Sequence, residues 1–209
     1  MSLDNIDSLL TQLTSARVIR DDELAYAISR AILRLLRHGD SASDVVFDQF
    51  GLVAEEQFKT WIREQFPGIP AERFQTCLKS QLDELLAAEK IEFRCGRVRA
   101  LYGHSIRRIV VGEMKWPERT LLHATRRHHL KAILRDGLSP RSRSCVQLTS
   151  CREYAKRIYD GHAVITPAAI LSIDPACVSP DDVTFRKPNS HVWLANWIPP
   201  DAIEITTDF

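Results

Sequence analysis

Residues 91–101, IEFRCGRVRAL, change the periodicity of the chain and thereby decide how it divides. Ile91 and Phe93 alternate with Glu92 and Arg94, and beyond Cys95-Gly96 the alternation resumes with Val98 and Ala100 against Arg97 and Arg99. A period of two on either side of a two-residue break reads as two short strands joined by a tight turn. Residues before this hairpin have helical spacing, and residues after it have the spacing of short strands.

Upstream, residues 21–37 place Leu24, Ile28, Ile32, Leu35 and Leu36 along one side of a helix, with Asp21, Asp22 and Glu23 at its positive end and Gly39 as a stop. Arg30, Arg34 and Arg37 fall on one stripe of that helix. A second helix is expected over 54–66 with Phe58, Trp61 and Ile62 inward, ended by Pro67-Gly68, and a third over about 70–88. Three helices and a hairpin suggest a winged-helix lobe over 21–110, preceded by an extension, residues 1–20, that the pattern does not explain. Downstream, TLLHA, CVQLT, HAVIT, AILSID, VTFRK and HVWLANW read as strands, interrupted by the helices HHLKAILRDG and CREYAKRIYDG. The second half, 111–209, is therefore α+β, with a linker expected around 112–119.

With 44% hydrophobic and 26% charged residues, the composition is that of a folded protein. No apolar run approaches the roughly 20 residues that span a bilayer, and the first residues lack a signal-peptide pattern, so a cytoplasmic protein is expected. Five cysteines without CxxC spacing suggest free thiols rather than a disulfide framework or zinc ribbon. A net charge of +1 excludes a protein that coats nucleic acid by bulk charge, although a local basic patch remains compatible with it.

Basic residues recur where elements end. Arg37 and His38 close the first helix, a position that also suits cations through the helix dipole alone, by about 0.3–1 kcal/mol. Arg97 and Arg99 share the polar face of the hairpin, a place for phosphate contacts or for plain solvation. Arg141 and Arg143 lie in the loop GLSPRSRS, where an arginine's planar fork can grip a phosphate or simply solubilise a loop. In LLHATRRHH, His123 ends an apolar run and His128 and His129 open a helix; without HExxH spacing no metal is expected. GxSxG, a P-loop and GxGxxG are all missing.

In this order, SRAILRLLRHG, VRALYGHSI, LLHAT, ILRDGLSPRSRSCVQLT and VWLANWIPPDAI resemble the NAD-dependent RNA 2′-phosphotransferase family over about residues 29–203. The resemblance implies a winged-helix lobe and an ADP-ribosyltransferase-like lobe, with NAD as co-substrate, a 2′-phosphorylated, tRNA-like RNA as partner, no metal, and a monomer. It places the catalytic Arg-His-Arg-Arg set on Arg37, His38, Arg99 and Arg143. NAD would be held by His123, Ala124, Thr125, Gln147, Thr149 and Val192, and RNA contacts would come from Arg34, Arg97 and His104. In the family the 2′-phosphate attacks the anomeric carbon of the nicotinamide ribose, expelling nicotinamide; the neighbouring ribose hydroxyl then attacks phosphorus and releases the RNA with a 2′-hydroxyl. The chain departs from the family pattern at Cys145 and Gln147, where histidines are common, and at Ala124, where glycine is. Two other readings stay open: an ADP-ribosyltransferase acting on another nucleic-acid phosphate, and a non-catalytic winged-helix RNA-binding protein.

Overall fold

The computed structural model describes residues 20–163 and 168–206; the expected extension therefore lies almost wholly outside the described residues. Two compact units succeed one another along the chain, the first ending at Ala100 and the second beginning at Leu101. The chain is of mixed α and β composition, with helices and two antiparallel sheets.

In the first unit, helix α1 (Asp21–His38) presents Leu24, Ile28, Ile32, Leu35 and Leu36 to the core, and Gly39 ends it, its N–H donating to the Leu35 carbonyl at 2.8 Å. Strand β1 (Val53–Ala54) leads into α2 (Glu55–Glu64), and α3 (Ala71–Ala87) comes next. Then come β2 (Ile91–Arg94) and β3 (Arg97–Ala100), which complete a sheet of order β1-β3-β2. Cys95 and Gly96 both have positive φ, 50° and 69°. That pair of values is what a two-residue turn needs to match the twist of its strands. The core joins Phe58, Trp61, Ile62, Phe74, Leu78, Ile91 and Val98 to the apolar side of α1.

The second unit is a seven-stranded sheet of order β10-β7-β5-β6-β9-β8-β4. In chain order its elements are β4 (Glu113–Met114), β5 (Leu121–Arg126), α4 (Leu130–Asp136), β6 (Val146–Thr149), α5 (Arg152–Ala163), β7 (Ala168–Ile173), β8 (Phe185–Lys187), β9 (Val192–Ala195) and β10 (Ile203–Thr206). Alternation along the strands sends Leu121, Leu148, Leu171, Ile173 and Trp193 into the main core. Ala124, Ile170 and Ala155 of α5 form a smaller cluster.

Several expectations change here. Residues 112–119 are no linker: Glu113 and Met114 pair with Lys187 and Arg186. Gly112, at φ 97°, lies so close to Pro188 that a Cβ would come within 2.7 Å of its nitrogen. His128 and His129 belong to a 3-10 turn, Arg127–His129, that precedes α4 rather than to the helix itself. In HAVIT, His162 and Ala163 close α5, and the remaining residues lie outside the described ones. Two strands, β1 and β10, were not expected: β1 is too short to show a period, and the alternation of β10 covers only four residues.

Candidate functional site

In the first unit the basic residues sit on neighbouring elements, because α1 packs across β3. Arg34, Arg37 and His38 occupy the last turns of α1 and are half-buried. The bend beyond the helix is held by Trp61, whose indole N–H donates to Asp40 Oδ2 at 2.9 Å. On β3, Arg99 is clamped: its Nε donates to Glu92 Oε1 at 2.6 Å, and its Nη1 to the Phe50 carbonyl at 3.0 Å. Glu92 is its cross-strand neighbour, so the hairpin register itself supplies the carboxylate. Arg97 is engaged by Asp48 at 3.0 Å, which occupies one edge of a guanidinium expected to meet RNA.

In the second unit the sheet has a discontinuity. β5 and β7 pair along six residue pairs, whereas β5 and β6 meet through Leu122 and Thr149 alone. Next to that pair, His123 Nδ1 lies 2.8 Å from the Gln147 carbonyl oxygen. A carbonyl only accepts, so Nδ1 carries a proton and donates it in this contact. A cavity of about 220 Å³ is lined by His123, Thr125, Arg141, Arg143, Cys145 and Gln147, among others. A second, of about 150 Å³, is lined by Leu122, His123, Ala124, Gln147, Tyr154 and Val192, with Thr149 also in its wall. His123 and Gln147 belong to both.

The loop before β6 is tied to the start of the unit. Arg143 Nη1 donates to the Gly103 carbonyl at 2.6 Å, and Ser144 N–H to the His104 carbonyl at 2.8 Å. Although Arg143 is exposed as a whole, its guanidinium end is packed in, and this desolvation lowers its pKa without threatening its charge. Burial pushes the Cys145 thiol up, so it is a neutral wall of the cavity at ordinary pH. His104 is 2% exposed, which places its ring inside the protein rather than on an RNA-facing surface. Thr149 uses its hydroxyl locally, donating to the His191 carbonyl at 2.6 Å and accepting from Cys151 N–H at 3.0 Å.

Tyr154 was not among the expected site residues. It comes from α5, whose Tyr154, Ala155 and Ile158 all line the smaller cavity, and its ring stacks on His191 with centroids 6.3 Å apart. The helical spacing of those three was the available signal. Arg141, at φ 54°, holds an uncommon left-handed conformation in the cavity rim. Among the described residues no cluster of three or more His, Cys, Asp or Glu side chains could hold a metal ion, and no helix is long and apolar enough to cross a membrane.

The sheet opens around two cavities that share His123 and Gln147, with Arg141 and Arg143 lining one of them, and comparison with known proteins fixes the family. The model of the RNA 2′-phosphotransferase, Tpt1 / KptA family matches residues 23–196, and the chain belongs to that family. It is 28% identical to a "Probable RNA 2′-phosphotransferase" of Pyrococcus abyssi, over 85% of this chain and 93% of the relative. Proteins of the same name from Acetivibrio thermocellus and Bacillus thuringiensis subsp. konkukian are 27% and 28% identical, over 82% and 85% of this chain and 92% and 94% of their own lengths.

Proposed function

We propose that this chain is an NAD-dependent RNA 2′-phosphotransferase, converting an internal RNA 2′-phosphate and NAD to 2′-hydroxyl RNA, nicotinamide and ADP-ribose 1″,2″-cyclic phosphate. In this reading the first unit is a winged-helix lobe for a tRNA-like RNA, the second is an ADP-ribosyltransferase-like lobe, and the protein works in the cytoplasm as a monomer, on RNA of the kind that tRNA splicing leaves.

The observation that carries the proposal is the pair of cavities sharing His123 and Gln147. A dinucleotide with a flat base-like end and a charged middle asks for an apolar slot beside a cation-lined one. Ala124, Tyr154, Ile158 and Val192 suit the first need, and Arg141 and Arg143 the second. NAD supplies an anomeric carbon that takes the phosphate oxygen and a nicotinamide that leaves.

The chain's own residues then have separable tasks. His123, its ring oriented by the contact of Nδ1 with the Gln147 carbonyl, meets a ribose hydroxyl of the dinucleotide. Arg37, Arg99 and Arg143 hold the phosphate and offset the charge that gathers on it as the ribose hydroxyl attacks phosphorus. His38 hydrogen-bonds the phosphate or relays the proton that the RNA 2′-oxygen must gain on leaving. Arg99 enters this task with its orientation already fixed by Glu92.

The decisive experiment incubates the protein with NAD and a short RNA bearing one internal 2′-phosphate, and measures nicotinamide, the RNA and the cyclic phosphate separately. Loss of the phosphate with release of both small products is expected. Release of nicotinamide with an ADP-ribosylated RNA as the final product would assign the first step only. No turnover at stoichiometric enzyme, with no NAD binding by calorimetry, would leave an RNA-binding protein.

A further inference from the structure

A third cavity, of about 210 Å³, lies outside the pair assigned above and is lined by Lys115, Trp116, Arg119, Lys187 and Trp193, with Glu118 as its one carboxylate. Leu121 and Ser150 complete its sheet side, next in sequence to Leu122 and Thr149 of the apolar cavity, just as Trp193 is next to Val192. On β5 and β9, successive side chains point to opposite faces. The third cavity and the apolar one therefore lie back to back at one end of β5, β6 and β9.

Its wall is rigid. Lys115 N–H donates to the Phe185 carbonyl at 3.2 Å, and Arg186 Nη1 donates to the Gly112 carbonyl at 3.0 Å, so the segment that bears Trp116 is strapped to β8. Trp116 stands edge-on to Phe185, with centroids 5.1 Å apart at 89°, and is 38% exposed. Lys187 Nζ sits 4.9 Å from the centre of the Trp193 ring. Three cations, one anion and a half-exposed, fixed indole form the combination that takes a nucleic-acid strand: charge for the backbone, a flat face for a base.

We infer that this cavity is a second RNA subsite, in which Lys115, Arg119 and Lys187 hold backbone phosphate and Trp116 stacks a base of the single-stranded segment flanking the reacting nucleotide. This rests on the proposed RNA 2′-phosphotransferase reading.

The test measures binding of a labelled single-stranded RNA without 2′-phosphate to the full chain over a range of salt concentrations. With Lys115, Arg119 and Lys187 all changed to Ala, the slope of log K against log salt should fall by about 2, since each phosphate neutralised on a single strand contributes about 0.7. Trp116→Ala should raise Kd about tenfold, and Trp116→Phe should restore most of it. An unchanged slope in the triple variant overturns the inference, as does competition by a mononucleotide as strong as that by RNA. The same variants are assayed on a 2′-phosphorylated dinucleotide with NAD. Turnover there with RNA binding insensitive to the triple change defeats the subsite alone; RNA binding lost in the triple variant, without turnover by the unaltered protein, defeats the catalytic reading alone.

Discussion

His123 donates its Nδ1 proton to the backbone carbonyl of Gln147, 2.8 Å away, across the gap between β5 and β6. The bond uses the main chain of residue 147, so it persists whatever side chain that position carries. This separates two roles at position 147: its carbonyl sets the His123 ring, and the residue also lines both cavities.

His123→Ala should therefore weaken NAD binding more than Gln147→Ala. Losing the oriented ring is expected to raise the NAD Kd by about tenfold or more, read by calorimetry. Gln147→His should preserve the His123 geometry and leave thermal stability within a degree or two.

Arg143→Ala should lower turnover by about 10²–10³-fold, the range for removing a preorganised donor from a developing negative charge. Arg143→Lys should not rescue it, because a guanidinium can give Nη1 to the Gly103 carbonyl while its other N–H groups stay in a fixed plane for a phosphate, which an ammonium cannot do. Measuring nicotinamide and cyclic phosphate separately assigns the loss to one step; equal loss of both places Arg143 in substrate binding.

Glu92→Gln should leave the fold intact and reduce single-turnover rate, because it loosens Arg99 without removing it. The pair is partly shielded, with 14% and 35% side-chain exposure, so a change of about 1 kcal/mol in unfolding free energy is expected from denaturant titration. A variant with unaltered rate would show that the clamp serves the hairpin only.

Much of the first unit was legible because its periods are long: the apolar stripe of α1 repeats over several turns, and the hairpin announces itself by alternation around Cys95-Gly96. Strand β1 was not, since two residues cannot show a period and Val53 is a strand residue only through its pairing with Val98. Residues 112–119 read as a linker because their composition is polar, yet Gly112 and Trp116 are fixed by residues far along the chain, Pro188 and Phe185. At the site, types and order were visible in LLHAT and SRSCVQLT. The meeting of His123 with Gln147 depends on the register of two strands and has no local signature.

Gly112→Ala should destabilise the protein, because the new Cβ would fall 2.7 Å from the backbone nitrogen of Pro188 and the φ of 97° is unfavourable to any side chain. A loss of about 1–3 kcal/mol is expected in chemical denaturation.

Cys145 should alkylate slowly. Burial raises its pKa, so the reactive thiolate forms only at a pH above that of an ordinary cysteine, and iodoacetamide labelling with mass-spectrometric readout should show it trailing the exposed Cys95 at pH 7–8. If NAD occupies the cavity that Cys145 lines, its addition should slow that labelling further.

The single ladder pair between β5 and β6 gives this sheet an internal edge. Edge strands ordinarily attract another strand because their peptide groups still seek partners. Here the boundary is enclosed within the sheet, with an imidazole seated on one of its carbonyls. A contact made through a peptide group is one that changing the side chain cannot delete, so the seat of the His123 ring is set by the backbone.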